Sequence, residues 1–171
     1  MRLTPSSGLT ILTVHTDIGS ELHFIQTGSG SNSYQPTDPI STATLNRNTS
    51  TGQYTLTAED TSSWLFDSAG KLLTRTWPQG EIWTYTYSGD KLLEVNDGYG
   101  SNARKLQFTY VVNPGGFDDG QLWRVGDQAA AGLSGSTPTG RYVEFSYVPE
   151  KNNGTQISNP KALLASVRDV R

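Results

Sequence analysis

Few side chains in this 171-residue chain could do chemistry, and their spacing limits what kind. His15 and His23 are its only histidines, and a hairpin between them could make them zinc ligands. Closing that hairpin with Thr16 against Glu21 pairs His15 with Leu22 and Val14 with His23. Opposed residues share a face, so this register predicts imidazoles on opposite sides of the sheet and no metal site. The adjacent carboxylates Glu59-Asp60 and Asp118-Asp119 could serve acid/base chemistry. Neighbours on an extended strand point opposite ways, however, and no nucleophile elbow, phosphate loop or His-x-x-x-His accompanies them. Asp118-Asp119-Gly120, with Asp97, Asp127 and Asp169, raises calcium. The spacing lacks the alternating ligands of an EF-hand, and Asp readily bonds backbone in turns. These residues predict no enzyme, no metal and no cofactor.

The aromatic residues are the other chemical resource: four Trp and eight Tyr. Such rings stack on sugars or simply pack a sheet. Most occupy a repeating register, described below, and are expected to pack. Trp77, beside Pro78, is the candidate for an exposed ring, and Trp123 is the second candidate ligand-binding residue. Stacking on single-stranded nucleic acid wants a positive groove. The net charge of −3, from 13 basic and 16 acidic residues scattered along the chain, supplies none and offers no footprint for an anionic membrane. With no Cys, disulfides, thiolate metal sites and Cys nucleophiles are excluded. Apolar runs fall far short of the roughly 20 residues that cross a bilayer. Pro5-Ser6-Ser7-Gly8 interrupts any apolar stretch after Arg2, so a signal peptide is not expected within these residues.

What positions these side chains is a two-part phrase that occurs four times: an aromatic strand, a polar turn and a Leu-led strand. The aromatic halves are Trp64-Leu65-Phe66, Tyr85-Thr86-Tyr87, Phe108-Thr109-Tyr110 and Phe145-Ser146-Tyr147. The second halves begin at Leu72, Leu92, Leu122 and Leu164, spaced by 20, 30 and 42 residues. A constant unit with growing inserts is the mark of stacked supersecondary repeats. Alternation with period two, bulky rings against Thr and Ser, predicts strands with one buried and one wetter face. Asp67-Ser68-Ala69-Gly70 and Ser88-Gly89-Asp90 suit tight hairpin turns. Upstream, 11–16 with 21–26 and 53–58 with 63–66 predict two further hairpins, whereas 28–33, 35–39 and 131–140 read as loops. Residues 158–167 carry helix-start signals. The match of Leu164-x-x-Val167-x-Asp169 to Leu92-x-x-Val95-x-Asp97 and Leu122-x-x-Val125-x-Asp127 predicts strand instead. The chain divides into leading hairpins and loops over 1–62 and repeats with two insertions over 63–171.

Phe66-Asp67-Ser68-Ala69-Gly70-Lys71-Leu72-Leu73 is similar to the core of the YD repeat, also called the RHS repeat. That motif joins Tyr or Phe to Asp, then Gly-Arg/Lys-Leu after a short spacer. Tyr85-Thr86-Tyr87-Ser88-Gly89-Asp90-Lys91-Leu92-Leu93 looks like the next copy. The stretch from Gly19-Ser20-Glu21-Leu22-His23-Phe24 to Gly52-Gln53-Tyr54-Thr55-Leu56 resembles the segment that often precedes such repeats. Asp follows the aromatic only at Phe66-Asp67, and the third and fourth copies carry long inserts. The resemblance implies an all-β fold of consecutive antiparallel β-hairpins forming a curved, repeat-built sheet, part of a hollow RHS/YD-repeat shell. It further implies a secreted or cell-surface parent in which the shell encloses or presents a toxin or effector domain. No catalytic residue carries over. Partners would be neighbouring repeats and that effector, with no nucleic acid and no membrane. The alternative is a glycan- or protein-binding β module using exposed Trp and the loops at 111–120 and 148–160. An isolated slice of such a sheet bares its terminal strands, so self-association through strand edges, or loops that cover them, is expected.

Overall fold

The computed structural model describes residues 1–5, 11–16, 19–98, 103–127, 140–153, 155–156, 158 and 160–170. Every regular element among them is a β-strand. The first eight are β1 (Arg2–Pro5), β2 (Ile11–His15), β3 (Glu21–Gln26), β4 (Ser33–Pro36), β5 (Thr44–Arg47), β6 (Tyr54–Thr57), β7 (Ser63–Phe66) and β8 (Leu72–Thr76). Then come β9 (Ile82–Ser88), β10 (Lys91–Asn96), β11 (Lys105–Tyr110), β12 (Leu122–Asp127), β13 (Tyr142–Pro149) and β16 (Ala162–Val170). The short strands β14 (Lys151–Asn152) and β15 (Thr155–Gln156) form a separate hairpin inside the last insertion. Strands neighbour one another in chain order, with β16 beside β13. The fold is all-β, built from consecutive antiparallel pairings. Residues 131–139 of the expected loop, and Asp17 and Ile18 of the first turn, lie outside the described residues. Two compact units divide within β9, at Met1–Tyr85 and Thr86–Arg171.

In the first unit each strand from β1 to β8 sends at least one apolar side chain to a common core. These are Leu3, Leu12, Val14, Phe24, Tyr34, Leu45, Leu56, Phe66 and Leu72. Phe24, Leu45 and Phe66 are fully shielded from solvent. Burying such side chains stabilises by about 1.5–3 kcal/mol each. One residue per short strand suffices because the sheet rolls back on itself. Leu3 N–H donates to the Gly70 carbonyl at 3.0 Å, and Arg2 bridges Lys71 in antiparallel fashion. In a flat sheet β1 and β8 would stand more than about 30 Å apart. The strands β1, β4 and β5 were not foreseen. Tyr34 and Leu45 are the sole large apolar residues of β4 and β5 facing the core, so no alternation marks them. Pro36, which reads as loop, ends β4 opposite Phe24, where a strand terminus tolerates its missing N–H.

The repeat has a defined cross-strand geometry. Phe66 faces Leu72, Tyr110 faces Leu122 and Tyr147 faces Leu164. In each pair one extra residue, Leu73, Trp123 or Ala165, follows the leucine as a β-bulge, and pairing resumes one position later. The first ring of each aromatic half then faces the residue three beyond the leucine: Trp64 opposite Arg75, Phe108 opposite Val125, Phe145 opposite Val167. Of the stretch 158–167, the part from Ala162 on is strand and not helix: β16 begins there and runs to Val170.

In the second unit these pairs assemble one apolar face. Cross-strand neighbours link Val95 to Leu106, and Phe108 to Val125 to Val143. The opposite face is charged. Lys105 pairs with Glu94 at 3.1 Å, and Glu144 holds Arg124 at 2.7 Å and Arg168 at 3.0 Å. Among the described residues of this unit no apolar side chain is fully buried; Leu106, Leu163, Leu164 and Val167 are exposed.

The closure of the first unit makes a sharp prediction. Gly70 and Gly80 both sit at positive φ, +83° and +87°. A Cβ on Gly80 would meet nothing, whereas one on Gly70 would lie 1.9 Å from the Leu3 carbonyl oxygen. Gly80→Ala is expected to cost about 1–2 kcal/mol for the left-handed backbone alone. Gly70→Ala should cost at least about 3 kcal/mol, since it also forces β1 off the turn. Urea-unfolding midpoints compare the two; equal losses would show that the closure contributes nothing.

Candidate functional site

The insertion between β11 and β12 is an ordered loop. Val111 N–H donates to the Gln121 carbonyl at 2.8 Å and Gly120 N–H to the Val111 carbonyl at 2.9 Å, which closes its base. Inside it, the Asn113 side-chain amide donates to the Asp118 carboxylate at 2.7 Å and the Asn113 backbone N–H to Asp119 at 2.9 Å. The acidic pair thus braces the loop, as turn chemistry predicts. This loop and the sheet surround a cavity of about 370 Å³ lined by Val111, Val112, Asp118, Trp123, Phe145 and Tyr147.

Each ring at the cavity is fixed by the repeat geometry. Trp123 is the bulged residue of β12, and its ring carries the Arg124 guanidinium 3.7 Å from its centroid. That guanidinium is in turn held by Glu144, with Nε at 2.8 Å. The Tyr147 phenol donates to the Leu122 carbonyl at 2.7 Å, and the Tyr110 phenol donates likewise to Leu92 at 2.8 Å. Burial pushes both phenols above their ordinary pKa, so they stay neutral donors. Glu94, on the charged face, is buried against its own ionisation, but hydrogen bonds from Gln107 and Lys105 outweigh that and hold its carboxyl low. Chemically the cavity offers three aromatic surfaces, the Asp118 carboxylate and the Ser146 hydroxyl.

Trp77 is placed differently from expectation. It is half-buried, packs edge-on to Trp83 at 5.7 Å, and lies under the Arg75 guanidinium at 3.5 Å. Arg75 also covers Trp64 at 5.4 Å. In the repeat Arg75 occupies the slot held elsewhere by Val125 and Val167, so the flanking indoles serve a cation on the core-facing side. The Trp77 indole N–H is buried without an acceptor among the described residues. The sequence missed this because Pro78 and Gly80 flag a turn but say nothing of the cation two residues earlier.

The histidine register is corrected. His15 faces Glu21, Val14 faces Leu22 and Thr13 faces His23, one residue from the register expected. The turn accounts for the shift: Thr16 N–H donates to the Ser20 carbonyl, so the strands meet one residue nearer the turn. Both imidazoles therefore share a face with Glu21, at 3.1 Å from His15 and 3.7 Å from His23. Thr13 Oγ1 lies 3.0 Å from His23 Nδ1. The connectivity resembles a nucleophile, base and carboxylate, but these side chains are about half exposed and line neither the cavity beside Trp123 nor that beside Tyr34. No group of three converges for a metal among the described residues. Asp97, another calcium suspect, is buried and accepts from the Arg104 backbone at 2.9 Å and its Nε at 2.6 Å.

Compared with known proteins, the chain matches no protein-family model and no curated protein.

The phenols supply a pH test. Their folded pKa lies above the ordinary value of 10.0, so the unfolded chain loses these protons first. Their contribution to stability is complete below pH 10.0 and is lost as pH rises through the folded values. Tyr110→Phe with Tyr147→Phe should cost about 0.5–1.5 kcal/mol per lost bond at neutral pH. The double variant should also fall off less steeply above that pH in chemical denaturation. An unchanged alkaline slope would refute the assignment.

Proposed function

We propose that this chain is a non-catalytic segment of an RHS/YD-repeat wall that encloses or presents a toxin or effector domain. The reading rests on one observation: the same ring–leucine pair, bulge and ring–i+3 pair recur in three of the four sequence copies. A unit that repeats its hydrogen-bond register can extend a sheet indefinitely while its insertions vary. Such a wall acts sterically, since a paired sheet admits neither protease nor substrate. The apolar face of the second unit suits contact with further strands or an enclosed domain. The parent would be secreted or carried on the cell surface.

The test uses the full-length polypeptide that contains these residues. A cargo domain within it is expected to resist protease, and Phe108→Ser with Phe145→Ser should render it cleavable while leaving its own fold intact. Equal sensitivity of wild type, variant and free cargo would defeat the enclosure reading.

A second reading is favoured by the cavity beside the 111–121 loop. Trp123, Phe145 and Tyr147 with Asp118 combine stacking surfaces and a hydrogen-bond acceptor, the pairing that a sugar ring uses. Under that reading the segment is a glycan-binding β module. Titration with chemically varied oligosaccharides should show saturable binding that Trp123→Ala abolishes and Trp77→Ala spares. Loss of binding in both variants, or in neither, would count against this site.

A further inference from the structure

We propose that the sugar taken by the cavity beside Trp123 is an amino sugar, its ammonium group paired with the Asp118 carboxylate. The inference rests on the glycan-binding reading and names the class of glycan.

The cavity is built on strands that have neighbours on both sides. β12 lies between β11 and β13, and β13 between β12 and β16. The loop that walls it is closed at its base by the bonds of Val111 with Gln121 and Gly120. At about 370 Å³ the cavity stands near the lower end for ligand pockets, roughly 300–1,000 Å³, which suits a short sugar better than a long chain. The apolar faces of sugar rings stack on Trp123, Phe145 and Tyr147.

Charge then selects among sugars. Among the described residues Asp118 is the only charged side chain that lines the cavity; no Lys, Arg or His does. The cations nearby are engaged elsewhere. Arg124 lies 3.7 Å from the Trp123 ring centroid and 4.9 Å from that of Tyr142, with Glu144 at 2.7 Å. Glu144 also holds Arg168, at 3.0 Å. Lys91 Nζ stands 5.2 Å from the Tyr110 ring centroid, outside the cavity lining. Asp119, which accepts from the Asn113 backbone, adds a second negative charge to the loop. A sugar carboxylate or sulfate would therefore meet Asp118 with no cation to offset it.

An ammonium offers the reverse. It carries three donors and the opposite charge, and charge-assisted hydrogen bonds are roughly twice as strong as neutral ones. Asp118 can accept it, since the Asn113 amide at 2.7 Å takes one of the roughly four acceptor sites of a carboxylate. The rings act in the same direction, because their negative faces attract a neighbouring cation. The chain uses that attraction on its own cations, with Arg47 over Tyr54 and Arg75 over Trp77.

Two disaccharides differ only in the group at issue: the β-1,4-linked dimer of glucosamine and its N,N′-diacetyl form. Calorimetric titration of the full chain is made in mildly acidic buffer, where sugar amines are charged. At low salt the diamine should bind about tenfold more tightly. That advantage should shrink in about 1 M NaCl, while the diacetyl form keeps its affinity. Asp118→Asn retains an acceptor for the Asn113 amide and should level the two ligands; Trp123→Ala should abolish both. Equal affinities, or a preference that survives Asp118→Asn, overturn the proposal and leave the glycan reading standing. Methylammonium competing as well as the diamine marks a bare cation site and overturns it too. No saturable binding of either disaccharide overturns both readings. Should Asp118→Asn fail to fold, the salt series decides, and an equal salt response of the two ligands overturns the proposal.

Discussion

A ring facing a leucine across two strands, with one surplus residue directly after the leucine, governs most of this molecule. The bulge matters as much as the contact. Without it, Leu72 and Arg75, or Leu122 and Val125, would point to opposite faces; with it they share one and meet both rings of the aromatic half. A spacing of three, which in isolation suggests a helix, becomes a property of a kinked strand. Bulges also strengthen local twist. Insertions of any length can enter at the hairpin ends because the register is fixed within the strands.

The two units use this rule for different ends. In the first, the strands surround an interior, and Phe66 and Leu72 join a core fed by β1 to β6. The price of one irregularity is visible there: Arg75 stands where other copies have Val, and Trp64 and Trp77 supply the π surfaces that make a cation tolerable. In the second, the same pairs lie on a face that stays partly open to solvent. Its other face is stitched by Glu94 and Glu144, each carboxylate engaged by more than one donor. Polar stitching adds little free energy at an exposed surface, but it discourages register slip.

Legibility followed the physics of each element. β7 to β13 and β16 were readable because ring–x–ring alternation and Leu-x-x-Val recur, and repetition averages out local ambiguity. β1, β4 and β5 were not, since a four-residue strand with one core residue carries no periodicity. Their formation depends on partners that only the assembled unit provides. The histidine register failed by one place because hairpin closure is set by a Thr16–Ser20 backbone bond, which no side-chain pattern reports. Trp123 was readable as a notable ring, but its cavity was not. The walls come from the 111–121 loop and from β13, and only the bonds among Asn113, Asp118 and Asp119 reveal that the loop holds a shape.

The bond from Leu3 to Gly70 also dictates an order of events. β1 precedes in the chain the turn that caps it, and its Leu3 N–H reaches the Gly70 carbonyl only once that turn, almost seventy residues later, has formed. Closing so long a loop is slow and entropically costly before the interior rewards it. On a ribosome, β1 with β2 would wait as an unfinished ribbon until the Asp67–Lys71 corner emerged. Maturation of the interior is thereby timed to the arrival of the first complete repeat, and a chain interrupted before that corner would remain unsealed.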